Sequence, residues 1–115
     1  MRRDAERLRD IIQCADEIAE FISDKTEESF LTSQLTCAAV AYKLTVIGEA
    51  SSCVSEALRN RHSQIPWNTA KRLRNIVIHQ YHGVDYKIVW MTATTSIPAY
   101  RTQIEELLRT EFPGE

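Results

Sequence analysis

The chain has 115 residues, 43% of them hydrophobic and 26% charged, which fits one ordinary globular domain and excludes a chain that is disordered over most of its length. Its 14 lysines and arginines against 16 aspartates and glutamates give a net charge of −2, so it lacks the overall basic charge of a generic nucleic-acid binder. The cysteine count is odd, three, without a Cys-x-x-Cys pair, which favours free thiols in a reducing compartment over a disulfide framework or a zinc site.

Apolar residues recur at intervals of three and four along almost the whole chain, which predicts helices joined by short connections. Four helices are expected in succession, over about 5–23, 29–52, 54–61 and 67–81. On the second helix we expect an apolar inner face made of Leu31, Leu35, Ala38, Tyr42, Val46 and Ile47. The first helix begins with alternating charges, including Asp4 and Glu6, which are most simply a solvated, salt-bridged face.

A last helical region starts near Asp85, which can cap it, and Pro98 should kink or split it near Ser96. The predicted fold is an all-α antiparallel bundle of four to five helices with a kinked last helix. One domain is expected over 1–112, followed by a short tail over 113–115.

The start of the chain has no apolar run that would make a signal peptide. The most apolar stretch, 35–50, contains Lys43 and Glu49 and is too short to span a bilayer. We therefore expect a cytoplasmic protein that does not enter a membrane.

Between Ala57 and Val84 the chain has no acidic residue. This acid-free window contains five basic residues, Arg59, Arg61, Lys71, Arg72 and Arg74, and all three histidines, His62, His79 and His82. A local basic site in an otherwise acidic chain indicates one anionic ligand, an acidic partner surface or a confined stretch of nucleic acid.

A helical wheel places the polar residues of the fourth helix on one side. With Arg74 set at zero, Tyr81 falls within about 20°, and Asn75 and His79 lie at about 100° and 140°. The apolar residues Leu73, Ile76 and Val77 gather on the opposite side, which we predict to be the core face.

Ile78 lies at about 40°, in the middle of this polar side. We interpret it as a sign that the polar side lines a cleft at a self-association surface. A two-fold dimer would then bring two copies of the polar set together.

Arginine offers a fork of donors that fits a phosphate, and histidine is the usual general acid or base near neutral pH. Metal-free RNA cleavage needs a base for the 2′-hydroxyl, a cation for the charge on phosphorus, and an acid for the leaving oxygen. Asn75 could orient His79 or donate to a phosphate oxygen, and Tyr81 could stack on a base.

Simpler interpretations stay open on these residues alone. An arginine and a histidine on one helix face are usually part of a solvated surface. A metal site would rest on His79, His82 and Asp85, and one more convincing ligand is missing. Trp67 and Trp90 are more typical of core or interface aromatics than of a base-stacking platform.

The pattern Arg74-Asn75-x-x-x-His79-x-Tyr81 resembles the signature of the HEPN superfamily, and more closely that of the HepT-type toxins of MNT/HEPN toxin–antitoxin systems. Beyond this signature the likeness includes 47–50, 65–67, and 84–85 followed by 89–90. It covers most of the chain from about 30 to 108. One position departs from the family, because Arg72 stands where a small residue is common.

The resemblance implies an all-α bundle that forms a two-fold dimer with the motif at the interface. It implies a metal-independent, cofactor-free endoribonuclease, toxic to its own cell, in which Arg74 and His79 are catalytic and Asn75 supports them. It also implies an MNT-type nucleotidyltransferase antitoxin that can transfer AMP to Tyr81.

The leading hypothesis is therefore a toxin that cleaves RNA, either tRNA or mRNA, and not DNA. Arg59, Arg61, Lys71 and Arg72 would draw RNA toward the cleft. One alternative is a non-catalytic helical module that binds, or is modified by, a nucleotidyltransferase. Another is a purely structural helical dimer.

Overall fold

The computed structural model of the protein describes residues 2–78 and 83–114, with the side chains of residues 3–76 and 83–114. All regular elements in these ranges are helical, which confirms the all-α prediction. The helices are α1 Arg2–Phe21, α2 Glu27–Leu31, α3 Gln34–Ser52, α4 Glu56–Arg61, α5 Thr69–Ile78, α6 Tyr86–Met91 and α7 Ile97–Glu111, with a π-helical turn over Thr92–Ser96. Among them, no helix is both long and apolar enough to cross a membrane.

Helix α3 organises the bundle, because it packs against both α1 and α5. Helix α7 packs against α1, and the short α6 packs against α2 and α3. The buried side chains of these elements form one cluster, which includes Leu8, Ile18, Phe30, Leu44, Leu58, Leu73, Ile97 and Ile104. Full burial of each large aliphatic side chain contributes about 1.5–3 kcal/mol, so this cluster supplies the main driving force for folding.

The single second helix predicted over 29–52 is wrong, because the chain leaves the helical conformation at Ser33. This residue is extended, and its Oγ accepts a hydrogen bond from the backbone N of Thr36 at 3.2 Å. Thr26 caps α2 in the same way, accepting from the backbone N of Ser29 at 3.1 Å. Hydroxyl side chains that bind nearby N–H groups stabilise helix starts, and here that local effect outweighs a continuous apolar periodicity.

The inner face of α3 also differs from the predicted one. Leu35 and Tyr42 are 82% and 64% exposed, and Ala38 is exposed as well. The predicted Ile47 is buried, together with Cys37, Val40, Ala41, Leu44 and Ala50. Because α3 is apolar on both sides, its sequence pattern does not select the buried side, and the neighbouring helices do.

The predictions for the last helical region are confirmed. The Oδ1 atom of Asp85 accepts a hydrogen bond from the backbone N of Lys87 at 3.0 Å and so caps α6. A π-helical turn then separates α6 from α7, and Pro98 lies in the first turn of α7. Proline has no N–H and crowds the preceding turn, which explains why regular α-helix is interrupted just before it.

The three cysteines are free thiols, with Cys14 and Cys37 buried and Cys53 exposed. Burial raises the pKa of the Cys14 and Cys37 thiols. Both are therefore protonated core residues at neutral pH and poor nucleophiles.

The solvated N-terminal face predicted for the first helix is wrong at Asp4, which is only 4% exposed. Its Oδ1 accepts a hydrogen bond from the backbone N of Ser55 at 2.9 Å, and its Oδ2 accepts one from Ser55 Oγ at 2.6 Å. The Ser55 Oγ in turn accepts from the backbone N of Leu58 and caps α4. One carboxylate therefore fastens the start of α1 to the start of α4.

Replacing Asp4 by alanine should lower the free energy of unfolding by about 1–3 kcal/mol, because two partly buried donors of Ser55 lose their acceptor. Urea denaturation followed by circular dichroism measures the change. The matched control is Glu6→Ala, which removes an exposed carboxylate from the same helix and should cost less than about 0.5 kcal/mol. Equal stability of the two variants would contradict a structural role for Asp4.

Candidate active site

The contact between α5 and α3 decides which way the polar motif faces. Ala70 and Leu73 are buried at this contact, at 7% and 2% exposure. A Cβ placed on Gly48 of α3 would lie 3.3 Å from the Ala70 carbonyl oxygen and 3.5 Å from the Leu73 Cβ, so a side chain here would require α5 to shift by a few tenths of an ångström. Arg74 and Asn75 are exposed. The predicted core face is thus confirmed at Leu73, and the described motif residues point away from it.

Arg74 and Asn75 make no side-chain hydrogen bond or ion pair with any residue in the described ranges. The Arg74 guanidinium carries five N–H donors in a planar fork, and the Asn75 amide carries two donors and one acceptor oxygen. These donors are therefore not consumed by the described part of the fold. Such a pair can bind an anionic oxygen that approaches from outside.

A cavity of about 270 Å³ opens beside Asn75. Its described lining is completed by Ile76 from α5 and by Gly83, Asp85 and Ile88 from the start of the next helix. Ile88 is 47% exposed, an unusual degree of exposure for an aliphatic residue that adjoins a polar site. The cavity gives Asn75 a concave surface that could receive a ligand.

His79, Tyr81 and His82 lie outside the described residues, as does the side chain of Ile78. Their predicted place on the same side as Arg74 therefore stays a prediction. Gly83, which lies between the fourth predicted helix and Asp85, has a φ of +94°, in the left-handed region that favours glycine.

The four additional cations predicted to attract RNA have different surroundings. Lys71 and Arg72 are exposed on α5, and Arg72 borders a second cavity of about 220 Å³ between α5 and α7. Arg59 is half-buried on α4. Arg61 instead forms an ion pair, with 3.0 Å between its Nη2 and Oε1 of Glu111, so its charge is largely neutralised within the fold.

A polar clip that no sequence pattern indicates anchors the turn before α5. The Nε2 atom of His62 lies 2.6 Å from Oε2 of Glu111, and the indole Nε1 of Trp67 donates to the His62 carbonyl oxygen at 3.0 Å. Glu111 ends α7 and also holds Arg61. We call Arg61, His62, Trp67 and Glu111 the α7 clip. Because the two contacts to Glu111 join residues 49 and 50 positions apart, no local pattern could have revealed them.

Hydrogen bonds from Arg61 and His62 hold the pKa of the Glu111 carboxyl below its usual range. A carboxyl whose pKa is lower in the folded protein than in the unfolded chain stabilises the fold above the unfolded value. That stabilisation is lost as pH falls through the folded value. The clip is therefore sensitive to acid.

We expect the difference in unfolding free energy between the wild type and Glu111→Gln to be largest near neutral pH and to shrink as pH falls below about 4.5. Urea unfolding at a series of pH values measures it. The control is Glu106→Gln, an exposed carboxylate on the same helix. A difference that stays constant down to the acid transition would show that Glu111 does not contribute as its contacts indicate.

The described residues form an all-helical bundle with an outward-facing Arg-Asn pair, of which Asn75 lines a small cavity. Comparison with known families gives the class of protein to which this bundle belongs. The family model described as Ribonuclease HepT-like matches residues 11–107. The chain therefore belongs to the HepT-like ribonuclease family of the HEPN superfamily.

Curated relatives align along nearly the whole chain. A protein named "Putative RNase MJ0127" from Methanocaldococcus jannaschii is 36% identical over 94% of this chain and 88% of its own. "Probable ribonuclease HepT" from Thermococcus cleftensis is 36% identical over 87% of this chain and 91% of its own. "Putative RNase TTE0752" from Caldanaerobacter subterraneus is 32% identical over 90% and 93%. No solved structure matches the chain.

Proposed function

We propose that this protein is a metal-independent endoribonuclease that acts in the cytoplasm as the toxin of a toxin–antitoxin pair. The observation that carries the proposal is the match of residues 11–107 to the HepT-like ribonuclease family. The exposed side chains of Arg74 and Asn75, which have no partner among the described residues, support it, as does the cavity that Asn75 lines, because an RNA phosphate needs accessible donors.

In the proposed reaction the 2′-hydroxyl of RNA attacks the adjacent phosphorus, and the 5′-oxygen leaves. His79 serves in proton transfer, as the base that takes the 2′ proton or the acid that protonates the leaving oxygen. Arg74 stabilises the negative charge that develops on the phosphoryl oxygens, and Asn75 orients His79 or donates to one of those oxygens. The product carries a 2′,3′-cyclic phosphate end.

The proposed chemistry limits the substrate to RNA, either tRNA or mRNA, because DNA has no 2′-hydroxyl to act as the nucleophile. The same scheme requires no cofactor, since the nucleophile belongs to the substrate and the charges are handled by side chains.

Replacing either Arg74 or His79 by alanine should reduce RNA cleavage at least about 100-fold and abolish growth inhibition, while the helical circular dichroism spectrum is unchanged. A gel assay of purified protein on tRNA and mRNA measures cleavage. Arg109→Ala, which removes an exposed arginine of α7, is the control and should cleave like the wild type.

Full activity of either alanine variant would reject the assigned role. Loss of wild-type activity in EDTA would instead favour a metal-assisted reaction. If the wild-type protein leaves RNA intact while Tyr81 gains AMP in cells that also express the partner, the non-catalytic module becomes the correct description.

We further propose that the active unit is a two-fold dimer. The outer face of α3 exposes Leu35 and Tyr42, and α6 exposes Ile88 and Met91. Large exposed apolar side chains on neighbouring elements are typical of a surface that another subunit covers. Because Ile88 lines the same cavity as Asn75, a subunit that covers Ile88 would also enclose the site.

Dimer formation predicts a concentration-dependent defect when the outer face of α3 is made polar. The double variant Leu35→Gln and Tyr42→Gln should weaken self-association at least about tenfold, since two apolar contacts are lost. Its RNA cleavage should fall in dilute solution and recover at higher protein concentration, because neither residue lines the cavity. Sedimentation equilibrium and cleavage assays over a concentration series measure both.

The control is the double variant Thr102→Gln and Thr110→Gln, which changes two exposed polar residues of α7 and should associate like the wild type. A wild-type protein that sediments as a monomer at micromolar concentration would reject the dimer.

The proposed partner is an MNT-type nucleotidyltransferase antitoxin, which would silence the toxin by transferring AMP to Tyr81. Such a modification adds a negatively charged phosphate close to Arg74, if Tyr81 lies where the wheel places it. That phosphate would compete with the RNA phosphate for the same guanidinium.

A further inference from the structure

A groove of about 420 Å³ lies beside the turn that joins α4 to α5, outside the cavity next to Asn75. The side chains that matter for its chemistry are Glu56, Arg59 and Asn60 from α4 and Ser63, Trp67 and Asn68 from the turn. The groove combines one cation, one carboxylate, one large aromatic ring, two amides and a hydroxyl.

Arg59 is the most unusual of these residues. Its Nε atom is sealed from solvent and has no hydrogen-bond partner in the described part of the chain. Its guanidinium also has no ion-pair partner there. Buried donors without an acceptor are rare in folded proteins because each loses its water without replacement. An anionic ligand in the groove would provide the ion-pair partner that Arg59 lacks among the described residues. Its oxygens would accept hydrogen bonds from the guanidinium N–H groups other than the sealed Nε.

Trp67 is held in a fixed position beside this cation. The α7 clip uses its indole N–H, which donates to the His62 carbonyl oxygen, so the ring does not have to be ordered when a ligand arrives. It remains half-buried, with part of its surface accessible. Aromatic rings of this kind serve as stacking surfaces for unpaired bases.

The remaining groups suit a nucleotide better than a bare anion. The side chains of Asn60 and Asn68 are exposed and make no hydrogen bond within the described residues, so they can read the edge of a base. Glu56 repels phosphate but accepts N–H groups, which also favours a base at its end of the groove. Arg59 is the only cationic side chain in the described lining.

The groove also adjoins the start of the helix that carries Arg74. It ends at Asn68, directly before the first residue of α5, and Arg74 lies five residues further along that helix, about 7.5 Å in rise. A single RNA strand that places a phosphate at Arg74 could therefore reach the groove with a neighbouring nucleotide. Apart from Glu56, the residues of the groove belong to the same acid-free window as Arg74, so little negative charge opposes a strand that runs between them.

We infer that the Arg59–Trp67 groove is a substrate subsite, which binds an unpaired nucleotide next to the cleaved bond of single-stranded RNA. The guanidinium of Arg59 binds its phosphate, and Trp67 stacks on its base. This inference rests on the proposed ribonuclease function and assigns the groove the role of positioning, without part in the bond cleavage itself.

The test measures RNA binding and cleavage separately. The probe is a labelled single-stranded RNA of about eight nucleotides and mixed sequence, titrated in fluorescence anisotropy against full-length protein with the Arg74→Ala change, which should prevent cleavage. Adding Arg59→Gln should weaken binding about tenfold. It should also reduce the slope of log affinity against log salt concentration by about one, the value for one lost phosphate contact. Adding Arg3→Gln, which removes an exposed guanidinium of α1, should change neither.

Cleavage by protein with an intact Arg74 gives the second readout. Arg59→Gln should raise KM by a similar factor while kcat changes little, since the groove binds without reacting. Trp67→Phe, which keeps a ring, should bind better than Trp67→Leu, and circular dichroism must show that both remain folded.

Unchanged RNA affinity and salt dependence in a folded Arg59→Gln variant, with cleavage by the wild type intact, would overturn the subsite and leave the ribonuclease proposal standing. If the wild-type protein neither binds nor cleaves the RNA, both proposals fail. A fall in kcat alone, with KM unchanged, would also overturn the positioning role.

Discussion

The close approach of α3 and α5 at Gly48 is the constraint on which the candidate site depends. Glycine inside a helix costs about 1 kcal/mol relative to alanine, because the unfolded chain loses more freedom there. The bundle offsets that cost by packing the backbone of α5 directly against α3, with the Ala70 carbonyl oxygen 3.3 Å from the position a Cβ would take. This contact buries Leu73 and leaves the side chains of Arg74 and Asn75 exposed. The direction in which these two motif residues point therefore follows from helix packing.

The apolar surface of α3 exceeds what a single copy of the chain covers. One side holds the core through residues such as Val40, Leu44 and Ile47, while the other exposes Leu35 and Tyr42. A helix that is apolar all round is normally buried all round. The proposed dimer resolves this mismatch, and it would enclose the cavity at Asn75 in the same step.

Long-range polar contacts fix the parts of the fold that carry the site. The carboxylate of Asp4 joins α1 to α4, and the carboxylate of Glu111 joins α7 to the turn before α5. The second contact reaches Trp67 through His62, so it steadies both the start of α5 and one wall of the Arg59–Trp67 groove. Each is a charge-assisted bond to a partly or fully buried partner, a type that contributes more than an exposed ion pair.

The sequence by itself determined the helical character of the chain, the cap at Asp85, the interruption before Pro98 and the outward side of α5 at Arg74. These features depend on neighbours within one or two helical turns, which a local pattern records. The break at Ser33 is also local, because hydroxyl caps produce it, but the continuous apolar periodicity conceals it. Only the tertiary structure decided the buried face of α3, the burial of Asp4 and the α7 clip, and only there is it seen that Arg59 Nε lacks a partner among the described residues. These features depend on which distant side chains meet, and that is set by packing many helices at once. The roles of His79 and Tyr81 remain predictions from the motif.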